Sequence, residues 1–133
     1  MHKLLTLLVL LVTSAFAHAH HVHGAELTCV SKSVYHEGRS LTEKHWIKIA
    51  NVAYNRQAHY ANYNFGAKSK HLCDIVKSKQ YVTGRKLRSK IQEKETYEKI
   101  VKVLSKANWH TSTNALYFTS IGNKIRYKHN WSK

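Results

Sequence analysis

Residues Val30 to Arg56 read VSKSVYHEGRSLTEKHWIKIANVAYNR, and the fold turns on how this stretch is divided. Val30, Val34 and Glu37 stand at i, i+4 and i+7, so a helix here carries Glu37 on its apolar stripe. A carboxylate that faces a core or a cleft wall is costly to ionise, and its pKa is expected to rise. Gly38 follows at once as a helix stop. A protonated carboxyl at a helix end beside a cleft is what a general acid requires. The same spacing also suits a buried glutamate paired with a neighbouring Arg or Lys. Downstream, Thr42 reads as an N-cap and Glu43 sits in a first turn, where a negative charge is favourable. A second helix is expected from Glu43 to Gln57, with Trp46, Ala50 and Ala53 as its stripe, flanked by Ile47, Ile49 and Tyr54. Val52 lies off that stripe, which points to burial on more than one side.

Upstream, Met1-His2-Lys3 is a short basic start and Leu4 to Phe16 is an apolar run. Ala15-Phe16-Ala17, or Ala17-His18-Ala19, supplies a small-x-small cleavage site. Residues 1–19 are therefore expected to be a secretory signal peptide, too short and wrongly flanked for a membrane span. No stable membrane anchor is expected once it is removed. Residues 20–28 read as a His-rich flexible tail. The tract from His18 to His23 could bind Cu, Ni or Zn, or could simply be solvated. Residues 29–133 form the expected domain. The exported part, roughly 115 residues, is one domain by size, with little core to spare.

The chain holds 22 Lys+Arg against 7 Asp+Glu, a formal charge of +15, and loss of the leader removes only Lys3 from that count. Such a charge favours solubility and polyanionic partners. For an exported protein these are anionic envelope polymers rather than nucleic acid. Cys29 and Cys73 are the only cysteines. In an oxidising compartment they are expected to pair. The alternative is a cysteine nucleophile with a histidine base.

Further along, His59 to Ser69 reads as a loop whose aromatics, Tyr60, Tyr63 and Phe65, either line a groove or pin the loop down. His71 to Lys77 suggests a helical turn, Gln80 to Gly84 a short strand, and Arg85 to Lys90 a basic run. A third long helix is expected from Lys90 to Ala107, with Tyr97, Ile100, Val101, Leu104 and Ala107 inward and Glu93, Glu95 and Glu98 on a wet face. After a polar break, Asn108 to Thr113, come a strand at Ala115–Ser120, a turn at Gly122-Asn123 and a return strand at Lys124–Trp131. The expected fold class is α+β, a helix-dominated single domain with a small C-terminal β-hairpin.

Several of these segments resemble the SleB/CwlJ type of cell-wall hydrolases. Tyr35-His36-Glu37-Gly38-Arg39 is similar to that family's Tyr-x-Glu-Ala-Arg signature. Ile49-Ala50-Asn51-Val52-Ala53-Tyr54-Asn55-Arg56 is similar to its Val-Ala-x-Val-x-x-Asn-Arg segment. Cys73-Asp74-Ile75-Val76 followed by Gln80-Tyr81 resembles Cys-x-Val-Val…Gln-Phe, and Ala115-Leu116-Tyr117-Phe118 with Trp131 resembles the closing Ala-x-Tyr-Phe/His…Trp segment. One departure is Ser40-Leu41, where the family has Gly-Glu. The resemblance implies a lysozyme-like or transglycosylase-like core that cleaves peptidoglycan, with Glu37 as the catalytic residue. It also implies that Asn55 and Arg56 order the site or bind sugar.

Tyr81, Tyr117, Phe118 and Trp131 could stack on sugar faces or belong to the core. Glycoside hydrolysis usually needs two carboxylates. Asp74 could be the second, though pairing with a nearby Lys is the preferred reading. A lytic transglycosylase needs one, so the scarcity of acids favours cleavage of the MurNAc–GlcNAc bond without water, in an endolysin-like or wall-remodelling role. That reading invokes no cofactor, no metal site and a monomer. Two rivals remain, an N-acetylmuramoyl-L-alanine amidase and a non-enzymatic cationic envelope-binding protein. A zinc amidase would need His and Glu ligands at defined spacing, which the scattered histidines do not supply.

Overall fold

The computed structural model describes residues 24–78, 80–81, 90–109, 111–121 and 124–129. The expected signal peptide, the tract from His18 to His23, Val82–Gly84, most of the basic run after it, the Gly122-Asn123 turn and Trp131 lie outside the described residues. Four helices precede one hairpin: α1 (Gly24–Gly38), α2 (Glu43–His59), α3 (Leu72–Val76), α4 (Lys94–Lys106), β1 (Tyr117–Ile121) and β2 (Lys124–Lys128). The chain is thus α+β and helix-dominated, with a two-stranded antiparallel sheet at its end.

Helix α1 is the central element and packs against each of the other three helices. Val30 and Val34 are fully buried, as their spacing requires, and Tyr35 joins them. The helix starts at Gly24, five residues before the expected start at Cys29, so Gly24–Thr28 is helix rather than tail. Tertiary ties explain the extension. Leu27 packs on the core, Glu26 pairs with His71 at 3.1 Å, and Cys29 is disulfide-bonded to Cys73 with Cα atoms 5.2 Å apart. A structural disulfide indicates a non-reducing compartment.

Gly38 ends α1, and its carbonyl accepts the Trp46 indole N–H at 2.7 Å. That bond fixes the angle between α1 and α2 and satisfies one of the carbonyls a helix end leaves open. Thr42 takes the N-cap position of α2 with extended backbone (φ −82°, ψ 164°) but makes no side-chain capping bond. Its carbonyl accepts from the backbone of His45 and Trp46 instead. Trp46, Ile49, Ala50 and Ala53 are buried, and so are Asn51, Val52 and Arg56 on a second face. The second face is explained by the segment 112–118, which lies along it.

Helix α4 begins at Lys94, four residues later than expected. The Tyr35 hydroxyl accepts the Glu93 N–H at 3.0 Å, and Arg39 pairs with the Glu93 carboxylate at 2.9 Å. These contacts hold Glu93 outside helical backbone space (φ −100°, ψ 81°). Ile100 and Leu104 form its buried stripe. Trp109, in the expected polar break, is buried and donates its indole N–H to the Leu104 carbonyl at 3.1 Å, closing the end of the helix. Truncating such an indole typically costs about 3–5 kcal/mol. Gln80 and Tyr81 form a turn rather than the start of a strand, because the Tyr81 N–H bonds the Ser78 carbonyl at 3.0 Å.

The hairpin pairs Tyr117 with Lys128 and Phe118 with Tyr127. It docks on the start of α2, where the His45 Nδ1 and the Tyr127 hydroxyl are 2.9 Å apart and their rings stack. Burial, then Lys48 and Lys44, lower the His45 pKa.

Candidate functional site

The site is built on the second buried face of α2. Asn51, Asn55 and Arg56 stand at i, i+4 and i+5 and grip one stretch of chain. The Asn51 Oδ1 accepts the Ser112 hydroxyl at 2.9 Å and the Thr113 N–H at 2.7 Å. Asn51 also donates to the Asn55 Oδ1 at 3.1 Å. The Asn55 amide donates to the carbonyls of Thr113 (2.9 Å) and Ala115 (3.0 Å). The Arg56 Nε donates to the Leu116 carbonyl at 2.7 Å. One polar row of the helix thus sets the path of residues 112–116, and with it the position of Tyr117 and the hairpin.

Arg56 is 4% exposed. Its guanidinium carbon lies 5.0 Å from the Phe65 ring centroid, 4.9 Å from that of Tyr81 and 5.1 Å from that of Tyr117. Three aromatic faces, from three separate segments, therefore surround one cation. Tyr81 is 1% exposed. Its hydroxyl and the Arg56 Nη1 have no hydrogen-bond partner among the described residues. Burial pushes the Tyr81 hydroxyl up to about 12; the Arg56 guanidinium works against that rise and the Glu37 carboxylate adds to it. Glu37, half-buried in the last turn of α1, is thus within electrostatic reach of the caged pair.

The structure brings Asn55, Arg56, Tyr81 and Tyr117 into this one region, and the Glu37 charge acts on Tyr81 from the end of α1. Trp131 lies outside the described residues. The Asn55 amide and the Arg56 Nε bond backbone carbonyls of the chain itself, whereas the Arg56 Nη1 has no partner among the described residues. Asp74 is not paired with a lysine among the described residues; its Oδ2 accepts the Ser69 hydroxyl instead. The signature neighbours of Glu37 are both engaged. Tyr35 bonds Glu93, and Arg39 stands over the Tyr35 ring at 5.2 Å while pairing with Glu93.

All seven acids of the chain are described. Glu26 pairs with His71, Glu43 with Lys99 at 3.8 Å, and Glu93 with Arg39; Asp74 holds Ser69, and Glu95 and Glu98 are exposed on α4. Glu37 is the acid whose charge acts on the buried tyrosine. Among the described residues no group of three or more His, Cys, Asp or Glu is placed to hold a metal ion.

Two contributors were not expected beside Arg56 and Asn55. Asn51 is completely buried and anchors Ser112 and Thr113; its i, i+4 spacing to Asn55 was the available signal. Phe65 was expected only to line a groove or pin its loop; it is one wall of the cage, and nothing in its aperiodic loop linked it to Arg56.

Searches of protein-family models, curated proteins and solved structures returned no match to the chain.

Proposed function

We propose that this chain is an exported peptidoglycan-degrading enzyme of lysozyme-like architecture, related to the SleB/CwlJ-type hydrolases that its motifs resemble. It cleaves the bond between N-acetylmuramic acid and N-acetylglucosamine as a lytic transglycosylase, with Glu37 as acid and then base. The observation that carries the reading is the distribution of carboxylates. One acid, half-buried at the end of α1, acts electrostatically on the buried Tyr81, and the remaining six lie in surface pairs, in a hydrogen bond to Ser69 or on a solvated helix face. A two-carboxylate hydrolysis has no evident second partner in that arrangement.

In the proposed reaction the Glu37 carboxyl gives its proton to the glycosidic oxygen as the bond from muramoyl C1 to that oxygen breaks. The resulting carboxylate takes the proton of the muramoyl C6 hydroxyl, whose oxygen bonds to C1 and closes a 1,6-anhydro ring. Glu37 ends protonated and no water is consumed. Asn51, Asn55 and Arg56 hold the wall of the site, and Tyr81 and Tyr117 belong to that wall through the arginine cage. The high positive charge draws the protein to anionic envelope polymers. The disulfide supports a secreted or periplasmic location. Digestion of purified peptidoglycan in 18-O water tests the chemistry: the new ends should be anhydro and unlabelled. Labelled reducing ends would establish hydrolysis instead.

A further inference from the structure

Residues 60–67 read YANYNFGA, and none of them is Lys, Arg, Asp or Glu in a chain that carries 22 Lys+Arg. This neutral window is a formed loop. The N–H groups of Asn62 and Tyr63 bond the His59 carbonyl at 2.9 and 3.1 Å, and the Ala67 N–H bonds the Asn64 carbonyl at 2.9 Å. The Asn64 side chain accepts the Gly66 N–H at 2.9 Å, and the Tyr60 hydroxyl reaches the Ala67 carbonyl at 3.4 Å. Phe65 (φ 53°) and Gly66 (φ 74°) are both left-handed. A phenylalanine there is uncommon and persists because its ring is buried against Arg56 and Tyr117.

The loop bears a shallow, wide-open groove of about 460 Å³, lined by Tyr60, Ala61, Asn62, Tyr63 and Asn64. Tyr63 is 53% exposed, the one exposed large hydrophobic side chain among the described residues. Its ring is set edge-on to Phe65 at 4.8 Å, so its orientation is held from below. Asn62 is exposed and its side chain makes no hydrogen bond among the described residues.

We infer that this groove is a saccharide subsite that takes an uncharged N-acetylated amino-sugar unit of a glycan strand. A pyranose ring offers an apolar C–H face, which packs on an aromatic face, and its hydroxyl and acetamido groups pair with an amide that both donates and accepts. A shallow groove with one aromatic platform and one or two amides offers the chemistry of such a site. Anionic ligands would be drawn to the lysine-rich surface elsewhere, not to this neutral window. Phe65 joins the loop to Arg56, and Arg56 stands on Tyr81, on whose hydroxyl the Glu37 charge acts. Packed rings and one guanidinium thus connect the loop to Tyr81. The inference rests on the proposed glycan substrate.

The probe is chitotetraose, titrated by NMR into the full chain with Glu37→Gln, alone and combined with Tyr63→Ala or Tyr63→Trp. Shifts should centre on Asn62 and Tyr63. Tyr63→Ala should weaken binding about tenfold, the loss of one aromatic contact, and Tyr63→Trp should preserve it. Peptidoglycan digestion by the unaltered protein is measured beside this. Digestion with unmoved Tyr60–Asn64 resonances, or with equal binding by Tyr63→Ala, overturns the subsite and leaves the activity standing. Saccharide binding lost only in Tyr63→Ala, with no digestion by the unaltered protein, supports the subsite and overturns the activity.

Discussion

Tyr81 carries a hydroxyl at a position where the motif it resembles has phenylalanine, and that hydroxyl is buried without a partner among the described residues. A stranded buried hydroxyl costs about 1–3 kcal/mol relative to a satisfied one. Tyr81→Phe is therefore expected to raise stability by about 1 kcal/mol, read from chemical denaturation at neutral pH. A loss of that size would mean that the hydroxyl is bonded after all. The same substitution changes the alkaline limb. Burial pushes the folded hydroxyl up to about 12, above the ordinary tyrosine value of 10.0 that holds in the unfolded chain. Between those values the folded chain binds more protons, so stability is present below pH 10 and is lost as pH rises through 12. Tyr81→Phe should flatten that part of the slope. That Glu37 is half-buried in the last turn of α1 was legible from its spacing to Val30 and Val34. The arginine cage was not, because Phe65, Tyr81 and Tyr117 belong to three segments that only the folded chain brings together.

The joint between α1 and α2 holds three departures from the resembled signature, and two of them, Gly38 for alanine and Leu41 for glutamate, meet in space. A Cβ on Gly38 would lie 2.8 Å from the Leu41 Cδ1 and 3.0 Å from the Ile49 Cδ1. Leucine at 41 thus occupies the room a methyl would take. Gly38→Ala should lower stability by about 1–2 kcal/mol through overpacking, and less in a Leu41→Ala background. A thermal-unfolding double-mutant cycle reads the coupling; strictly additive changes would show that the two positions are independent. The helices themselves were legible wherever an apolar stripe recurs, as at Trp46, Ala50 and Ala53. Their ends were not. Glu93 is held out of α4 by Tyr35 and Arg39, and Gly24–Thr28 is drawn into α1 by Leu27, Glu26 and Cys29. Each shift comes from a partner far away in sequence, which no local pattern records. Trp109 was missed for a related reason: its neighbours are polar and its indole docks backward onto Leu104.

At the scale of the whole molecule, one disulfide links α1 to α3 across a sequence separation of 44. Closing that loop stabilises the fold by about 4 kcal/mol on the chain-entropy account. Reduction, or Cys29→Ser with Cys73→Ser, should lower the unfolding free energy by up to that amount. An unchanged denaturation midpoint would show that the loop is constrained without it. The α+β class, the late hairpin and the cysteine pair were all readable from composition and pattern. The placement of the hairpin was not, since it depends on the hydrogen bonds from Asn51, Asn55 and Arg56 to residues some sixty positions on. The central claim is that one carboxylate on α1 does the chemistry, while the fold and the charge serve to present it. The most direct measurement is digestion of purified peptidoglycan by the wild-type chain and by Glu37→Gln, with released muropeptides identified by mass spectrometry. Anhydro-ended products from the wild type and none from Glu37→Gln are the expected result. Equal clearing by both proteins without new muropeptides would contradict it and leave charge alone as the source of any effect on the envelope.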